Sequence, residues 1–121
     1  MAALLVALAA CSSAPDASTA AKNVEAYLQA RTKSNVEQMI SMSCSAWEPT
    51  ARIEATSFQS MEAKLDGVVC TTSGSEGSSA TVMCTGKIIT SYNGESRDWR
   101  LDQRPFVSAL EGGEWRMCGY K

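Results

Sequence analysis

Residues 80–101 have the sequence ATVMCTGKIITSYNGESRDWRL, and the predicted fold depends mainly on this stretch. Every second residue from Ala80 to Ile88 is apolar or small, which is the period-two pattern of a half-buried β-strand. Asn93-Gly94 then predicts a type I′ turn, because both central residues of that turn need a positive φ. Pairing across the turn places Ile88 opposite Trp99. The stretch therefore predicts an antiparallel hairpin with one apolar face.

Further elements are predicted on both sides of this hairpin. A period of two also begins at Val68 and predicts an earlier strand, while Gly112-Gly113 predicts a second hairpin near the end of the chain. Upstream, apolar residues at helical spacing predict three helices, at residues 20–32, 34–44 and 47–65. The predicted class is α+β, with three N-terminal helices packed on a curved, four-stranded antiparallel meander sheet.

The N-terminal residues predict export and anchoring. Residues 2–10 are apolar and uncharged, and they are too few to span a bilayer, which needs about 20. Leu8-Ala9-Ala10-Cys11 resembles the lipobox of bacterial lipoproteins, in which the cysteine sulfur carries a diacylglyceryl group. Residues 1–10 contain no Lys or Arg, although signal peptides usually begin with basic residues.

The lipobox resemblance implies a location and a division of the chain. We expect the protein to be anchored by its lipid on the extracytoplasmic face of the cell membrane. The expected segments are a signal peptide at 1–10, a lipidated cysteine and flexible tether at 11–19, and a single domain at 20–121.

Charge and composition exclude several partners. The 121-residue chain has a net charge of −2, which gives no indication of the basic surface that nucleic acid requires. It contains no histidine, so the commonest general base and metal ligand is absent. We therefore expect no nucleic acid, no metal and no cofactor among its partners.

Four cysteines remain for disulfides once Cys11 is assigned to the lipid: Cys44, Cys70, Cys84 and Cys118. An even number in an exported chain favours two disulfides. No two of them have the close spacing of a zinc site. Cys70 and Cys84 lie on adjacent predicted strands at equal distances from the intervening loop, where a small adjustment allows a disulfide.

The pairing of the other two cysteines rests on elimination, which joins Cys44 to Cys118. Trp115 and Cys118 lie on opposite faces of the last predicted strand. A bulge at Arg104-Pro105 would decide which of them faces the helices. The alternative pairing, Cys44 with Cys70 and Cys84 with Cys118, therefore remains open.

The order of long helix, short helix, helix and meander resembles the nuclear-transport-factor-two-like, or cystatin-like, fold. The resemblance covers about residues 20–121, and its most suggestive pieces are Val24-Glu25-Ala26-Tyr27-Leu28, the Ser-Cys-x-x-Trp at 43–47, and Gly113 to Tyr120. Bacterial secreted lipoproteins of this plan are numerous and mostly of unknown function. The fold implies a cone with a pocket between sheet and helices, and it leaves function open.

Five aromatic residues are candidates for lining such a pocket: Tyr27, Trp47, Phe58, Trp99 and Trp115. They also lie at core spacing, so filling the core is the competing interpretation. Three carboxylates are candidates for a general base: Glu54, Glu62 and Asp66. Their competing interpretation is the solvent face of the third helix.

Two functions are compatible with these observations. The one we favour is a membrane-tethered, non-catalytic module that binds an envelope protein or a small ligand outside the cytoplasm. The alternative is a small pocket enzyme of the isomerase or dehydratase type that uses one carboxylate base. A carboxylate at the floor of a hollow cone would favour the enzyme, and a cone filled by tryptophan and phenylalanine would favour the binding module.

Overall fold

The computed structural model describes residues 16–121, so Cys11 and the predicted signal peptide lie outside the described residues. Helix α1 (Ser18–Thr32) begins inside the segment that the sequence predicts as a tether. The remaining elements follow in chain order: α2 (Val36–Ser41), α3 (Glu48–Glu54), β1 (Glu62–Glu76), β2 (Ser79–Tyr92), β3 (Glu95–Arg100), β4 (Phe106–Glu111) and β5 (Glu114–Tyr120).

The α+β class and the three helices are confirmed, but the sheet has five strands instead of four. β1 pairs with one edge of β2. The other edge of β2 pairs with β3 along residues 87–92 and with β4 along residues 79–82. The prediction of a single third strand is wrong because the chain turns away between Leu101 and Pro105. Pro105 has no N–H to donate to a ladder, and the chain rejoins β2 as a separate strand.

Both predicted hairpins are present. Ile88 pairs with Trp99 across the Asn93-Gly94 turn, and both turn residues have a positive φ, of 50° and 77°. Glu111 pairs with Glu114 across the second turn. Local turn chemistry is therefore sufficient to set these two registers.

The prediction of a long third helix is wrong. α3 ends at Glu54, residues 55–60 form turns, and β1 begins at Glu62. Leu65 pairs with Ile88 in the sheet. The backbone hydrogen bonds between β1 and β2 outweigh the helical spacing of the apolar residues, because that spacing expresses only a weak local preference for helix. Glu62 and Asp66 consequently lie exposed on β1 and not on a helix.

The two disulfides are Cys44–Cys118 and Cys70–Cys84, so the alternative pairing is wrong. Cys70 and Cys84 are directly opposed on β1 and β2. The segment after α2 runs beside β5, where Ser43 forms a parallel bridge with Met117. This bridge brings Cys44 next to Cys118 at the edge of the sheet.

A bulge in β5 resolves which residues of the last strand face the helices. Ser108 pairs with Met117 and Val107 with Gly119, so the intervening Cys118 has no opposite residue on β4. The bulge lies here and not at Arg104-Pro105. Gly119 has a φ of 133°, which favours glycine. Tyr120 therefore lies on the same face as buried Met117.

The core lies between α1 and the sheet. Val24, Tyr27 and Leu28 of α1 are fully buried, because apolar residues three and four apart occupy one face of a helix. They pack over a sheet face to which β2 contributes Val82 and Ile88. Among residues 16–121, no helix has the length and apolar character needed to span a membrane.

Candidate functional site

A cavity of about 240 Å³ opens where the ends of α1 and α3 meet the sheet. Pockets for drug-sized ligands usually have volumes above about 300 Å³. This cavity is smaller, so it suits a molecule smaller than a typical drug. The apolar part of its wall consists of Phe58, Ile88, Trp99, Leu101, Phe106 and Tyr120. The polar part consists of Arg31, Glu54, Arg100, Gln103 and Arg104.

Glu54 is the only carboxylate of the lining, and both of its oxygens are held by phenols. The Tyr27 hydroxyl donates to Oε1 at 2.5 Å, and the Tyr120 hydroxyl donates to Oε2 at 2.6 Å. Trp47 supports this arrangement from behind, because its indole N–H donates to the Tyr27 oxygen at 3.1 Å. The Arg31 guanidinium lies 3.7 Å from Oε2. The Glu54 side chain is only 14% exposed, so this network is largely shielded from water.

The environment of the two phenols keeps them protonated. Burial raises the pKa of Tyr27 far above its ordinary value, and the hydrogen bond to Glu54 and the negative charge of that residue raise it further. Burial also raises the pKa of Tyr120, again with added contributions from the Glu54 charge and hydrogen bond. Both hydroxyls therefore act as donors to the carboxylate throughout the neutral pH range.

These shifts predict a loss of stability in alkali. The pKa of each phenol is raised in the folded state, so its stabilising contribution is complete below about pH 10, the unfolded pKa, and is lost as pH rises toward the folded pKa. We expect the free energy of unfolding to fall above about pH 10 by up to about 1.4 kcal/mol per pH unit for each phenol. Denaturant unfolding at a series of pH values measures this slope.

The double variant Tyr27→Phe/Tyr120→Phe is the control for the alkaline effect, because it retains exposed Tyr92. It should show a much shallower fall above pH 10. An equal slope in the variant and the natural chain would show that other groups cause the alkaline loss.

Arginine side chains stack on the aromatic rings of the lining. The Arg31 guanidinium lies 5.0 Å from the centroid of the Phe58 ring, and the Arg104 guanidinium lies 5.0 Å from that of Tyr120. Arg97 stacks on Trp99 at 4.1 Å. Such cation–π contacts fix the position of each guanidinium and leave its N–H edge available to an acceptor.

The five predicted lining residues are distributed over three environments. Phe58 and Trp99 line the cavity, with their ring centroids 5.9 Å apart. Tyr27 and Trp47 lie behind Glu54 as hydrogen-bond donors. Trp115 is buried on β5 opposite Leu110, away from the cavity lining.

The lining residues that were not predicted from the sequence include Arg31, Arg104, Phe106 and Tyr120. Tyr120 follows the bulge at Cys118, so its face could not be read from a period of two. Arg104 lies in the turn between β3 and β4, where a strand period gives no side-chain direction. Within the described part of the chain, no three Cys, Asp or Glu residues are grouped so as to hold a metal ion.

Comparison with known proteins adds a likeness of fold. No protein-family model matches this chain, and no curated protein matches it in sequence. Among solved structures, one similar chain is a suspected dehydratase of the NTF2-like family from Streptomyces avermitilis. It has a TM-score of 0.52 and 13% identity, over 79% of this chain and 86% of that one.

A second similar structure is a suspected polyketide cyclase from Xanthomonas campestris pv. campestris. Its TM-score is 0.54 with 15% identity, over 88% of this chain and 93% of that one. At these identities the likeness concerns the fold alone. The domain therefore has the NTF2-like fold, as the order of its elements had indicated.

Proposed function

We propose that this protein is a lipid-anchored, extracytoplasmic module that binds a small, mainly apolar molecule in its cone-shaped domain. The observation that supports binding is the cavity itself, which has an aromatic wall and is not filled by the chain's own side chains. A small molecule entering it would remove apolar surface of half-buried Trp99 and Tyr120 from water, since Phe58 and Phe106 are already almost fully buried. Removal of apolar surface from water is the general source of affinity in such sites.

The anchoring part of the proposal predicts covalent lipid on Cys11. Metabolic labelling with a palmitate analogue should mark the natural protein, and Cys11→Ala should abolish the label because the sulfur that carries the diacylglyceryl group is removed. Ser12→Ala is the matched control and should retain the label. Persistence of the label in Cys11→Ala would refute the lipobox assignment.

The binding part predicts a localised response to small aromatic probes such as benzyl alcohol. In a nuclear magnetic resonance titration, the indole N–H signal of Trp99 should shift, because this residue lines the cavity. The indole signal of Trp115 is the internal control, since Trp115 lies outside the lining. No shift, or equal shifts of the two signals, would contradict binding in this cavity.

A second candidate function is a pocket enzyme, favoured by the position of Glu54 and by the names of the two similar structures. Each carboxylate oxygen of Glu54 can accept two hydrogen bonds. One phenol occupies one acceptor position on each oxygen, and the second position on each oxygen remains available to a substrate. Glu54 would remove a proton from a carbon acid and return it to another carbon in an isomerisation. In a dehydration it would pass the proton to the departing hydroxide as water.

The two functions differ in what happens to a bound molecule. Ligands found by the titration are incubated in deuterated water and followed for isomerisation, loss of water or exchange at carbon. Turnover that disappears in Glu54→Gln while binding persists would support the enzyme. An unchanged ligand after prolonged incubation would support the binding module.

A further inference from the structure

We infer that the molecule bound in this cavity carries a carboxylate on its apolar body, and that Arg31 and Arg104 bind this carboxylate. This inference rests on the proposed binding function and specifies the ligand class of the same cavity. It derives from the charge of the lining, the free donors of the two arginines and their fixed positions.

The lining is cationic although the chain as a whole is acidic. Arg31, Arg100 and Arg104 line the cavity together with a single carboxylate, that of Glu54, whereas the net charge of the chain is −2. Tyr27 and Tyr120 donate to the Glu54 oxygens. An excess of positive charge around a partly closed cavity attracts an anion to it.

Two of the three guanidinium groups retain unused donors. Arg100 is engaged by Asp102 through two hydrogen bonds, at 3.1 and 2.6 Å. The terminal nitrogens of Arg31 are held only by two long contacts, a hydrogen bond to Ser57 at 3.5 Å and an ion pair with Glu54 at 3.7 Å. Arg104 forms no ion pair within residues 16–121.

The positions of these donors match the apolar wall. Arg31 stacks on Phe58 and Arg104 on Tyr120, each at 5.0 Å, and both rings line the cavity. A molecule whose body contacts these rings would therefore have its end group beside the two guanidinium edges. A carboxylate is the partner that a guanidinium fork binds best, because two parallel N–H···O bonds form at once.

The test uses two probes of nearly equal shape and different charge, phenylacetate and phenylacetamide. Both are titrated into the full domain at neutral pH, with the Trp99 indole signal as the readout. We expect phenylacetate to bind about tenfold more tightly, which corresponds to about 1.4 kcal/mol. The preference should shrink with added salt.

Arg104→Gln is the decisive variant, because Arg104 is exposed and its replacement should leave the fold intact. It should reduce the preference for phenylacetate to within about twofold. Arg52→Gln, which removes the same charge from an exposed site on α3 outside the lining, should keep the full preference.

The outcomes separate this inference from the binding proposal. Equal affinity for the acid and the amide, or an undiminished preference in Arg104→Gln, would overturn the inference while cavity binding stands. Binding of neither probe would overturn both.

Discussion

Replacing both Cys44 and Cys118 by alanine is expected to lower the free energy of unfolding by about 4 kcal/mol. This disulfide joins residues 74 positions apart, and it links the segment between α2 and α3 to the last strand. In the chain-entropy account, closing so long a loop removes many conformations from the unfolded chain. Denaturant unfolding of the two proteins under oxidising conditions measures the difference.

The second disulfide supplies the matched comparison. Cys70 and Cys84 are only 14 positions apart, so Cys70→Ala/Cys84→Ala should cost less, about 3 kcal/mol. A reducing agent should lower the free energy of unfolding of the natural domain. It should not change the free energy of unfolding of a variant in which all four disulfide cysteines are replaced by alanine. A larger loss from the short loop than from the long one would contradict the loop-length explanation.

Glu54→Ala is expected to lower the free energy of unfolding by about 3 kcal/mol or more, since each hydrogen bond to a charged group contributes about 1.5–3 kcal/mol. The substitution leaves the hydroxyls of Tyr27 and Tyr120 without their acceptor in a largely buried site. Glu54→Gln should lose roughly half as much, because the amide oxygen still accepts one bond. Denaturant unfolding of both variants at neutral pH is the measurement.

Glu62→Ala is the control for Glu54. Glu62 is exposed on β1, and its replacement should change the free energy of unfolding by about 0.5 kcal/mol or less.

The sign of the stability change in Glu54→Ala also bears on function. Catalytic groups are often held at a cost to stability, so removing them stabilises many enzymes. A gain in stability from Glu54→Ala would contradict the structural role and strengthen the enzyme alternative.

The residues of the candidate site differ in how far the sequence could predict them. Glu54 was among three candidate carboxylates, and the end of α3 at this residue distinguishes it from Glu62 and Asp66. Phe58 and Trp99 were predicted to line a pocket, and they do line the cavity. The roles of Tyr27 and Trp47 as donors behind Glu54 depend on contacts between α1, α3 and β5, which residue spacing does not encode.

Features that arise from interactions between residues close together in the chain could be predicted from the sequence. The Asn93-Gly94 and Gly112-Gly113 turns set two hairpin registers, since their backbone conformations suit glycine and asparagine. The apolar alternation around Cys84 and the equal distances of Cys70 and Cys84 from their loop predicted one disulfide. In the Asn93-Gly94 hairpin the turn sets which residues meet, whereas Cys70 and Cys84 are directly opposed because a register shift between Thr72 and Gly74 moves the β1–β2 pairing by one residue.

Tertiary contacts set the end of α3, the break between β3 and β4, and the bulge at Cys118. Each depends on partners distant in the chain, such as β2 for the start of β1 and the Ser43 segment for β5. The bulge reverses the alternation of β5, and only through it does Tyr120 lie on the inner face and reach Glu54. A one-residue shift in a strand moves every later side chain to the opposite face, so the site depends on long-range pairing that local patterns do not contain.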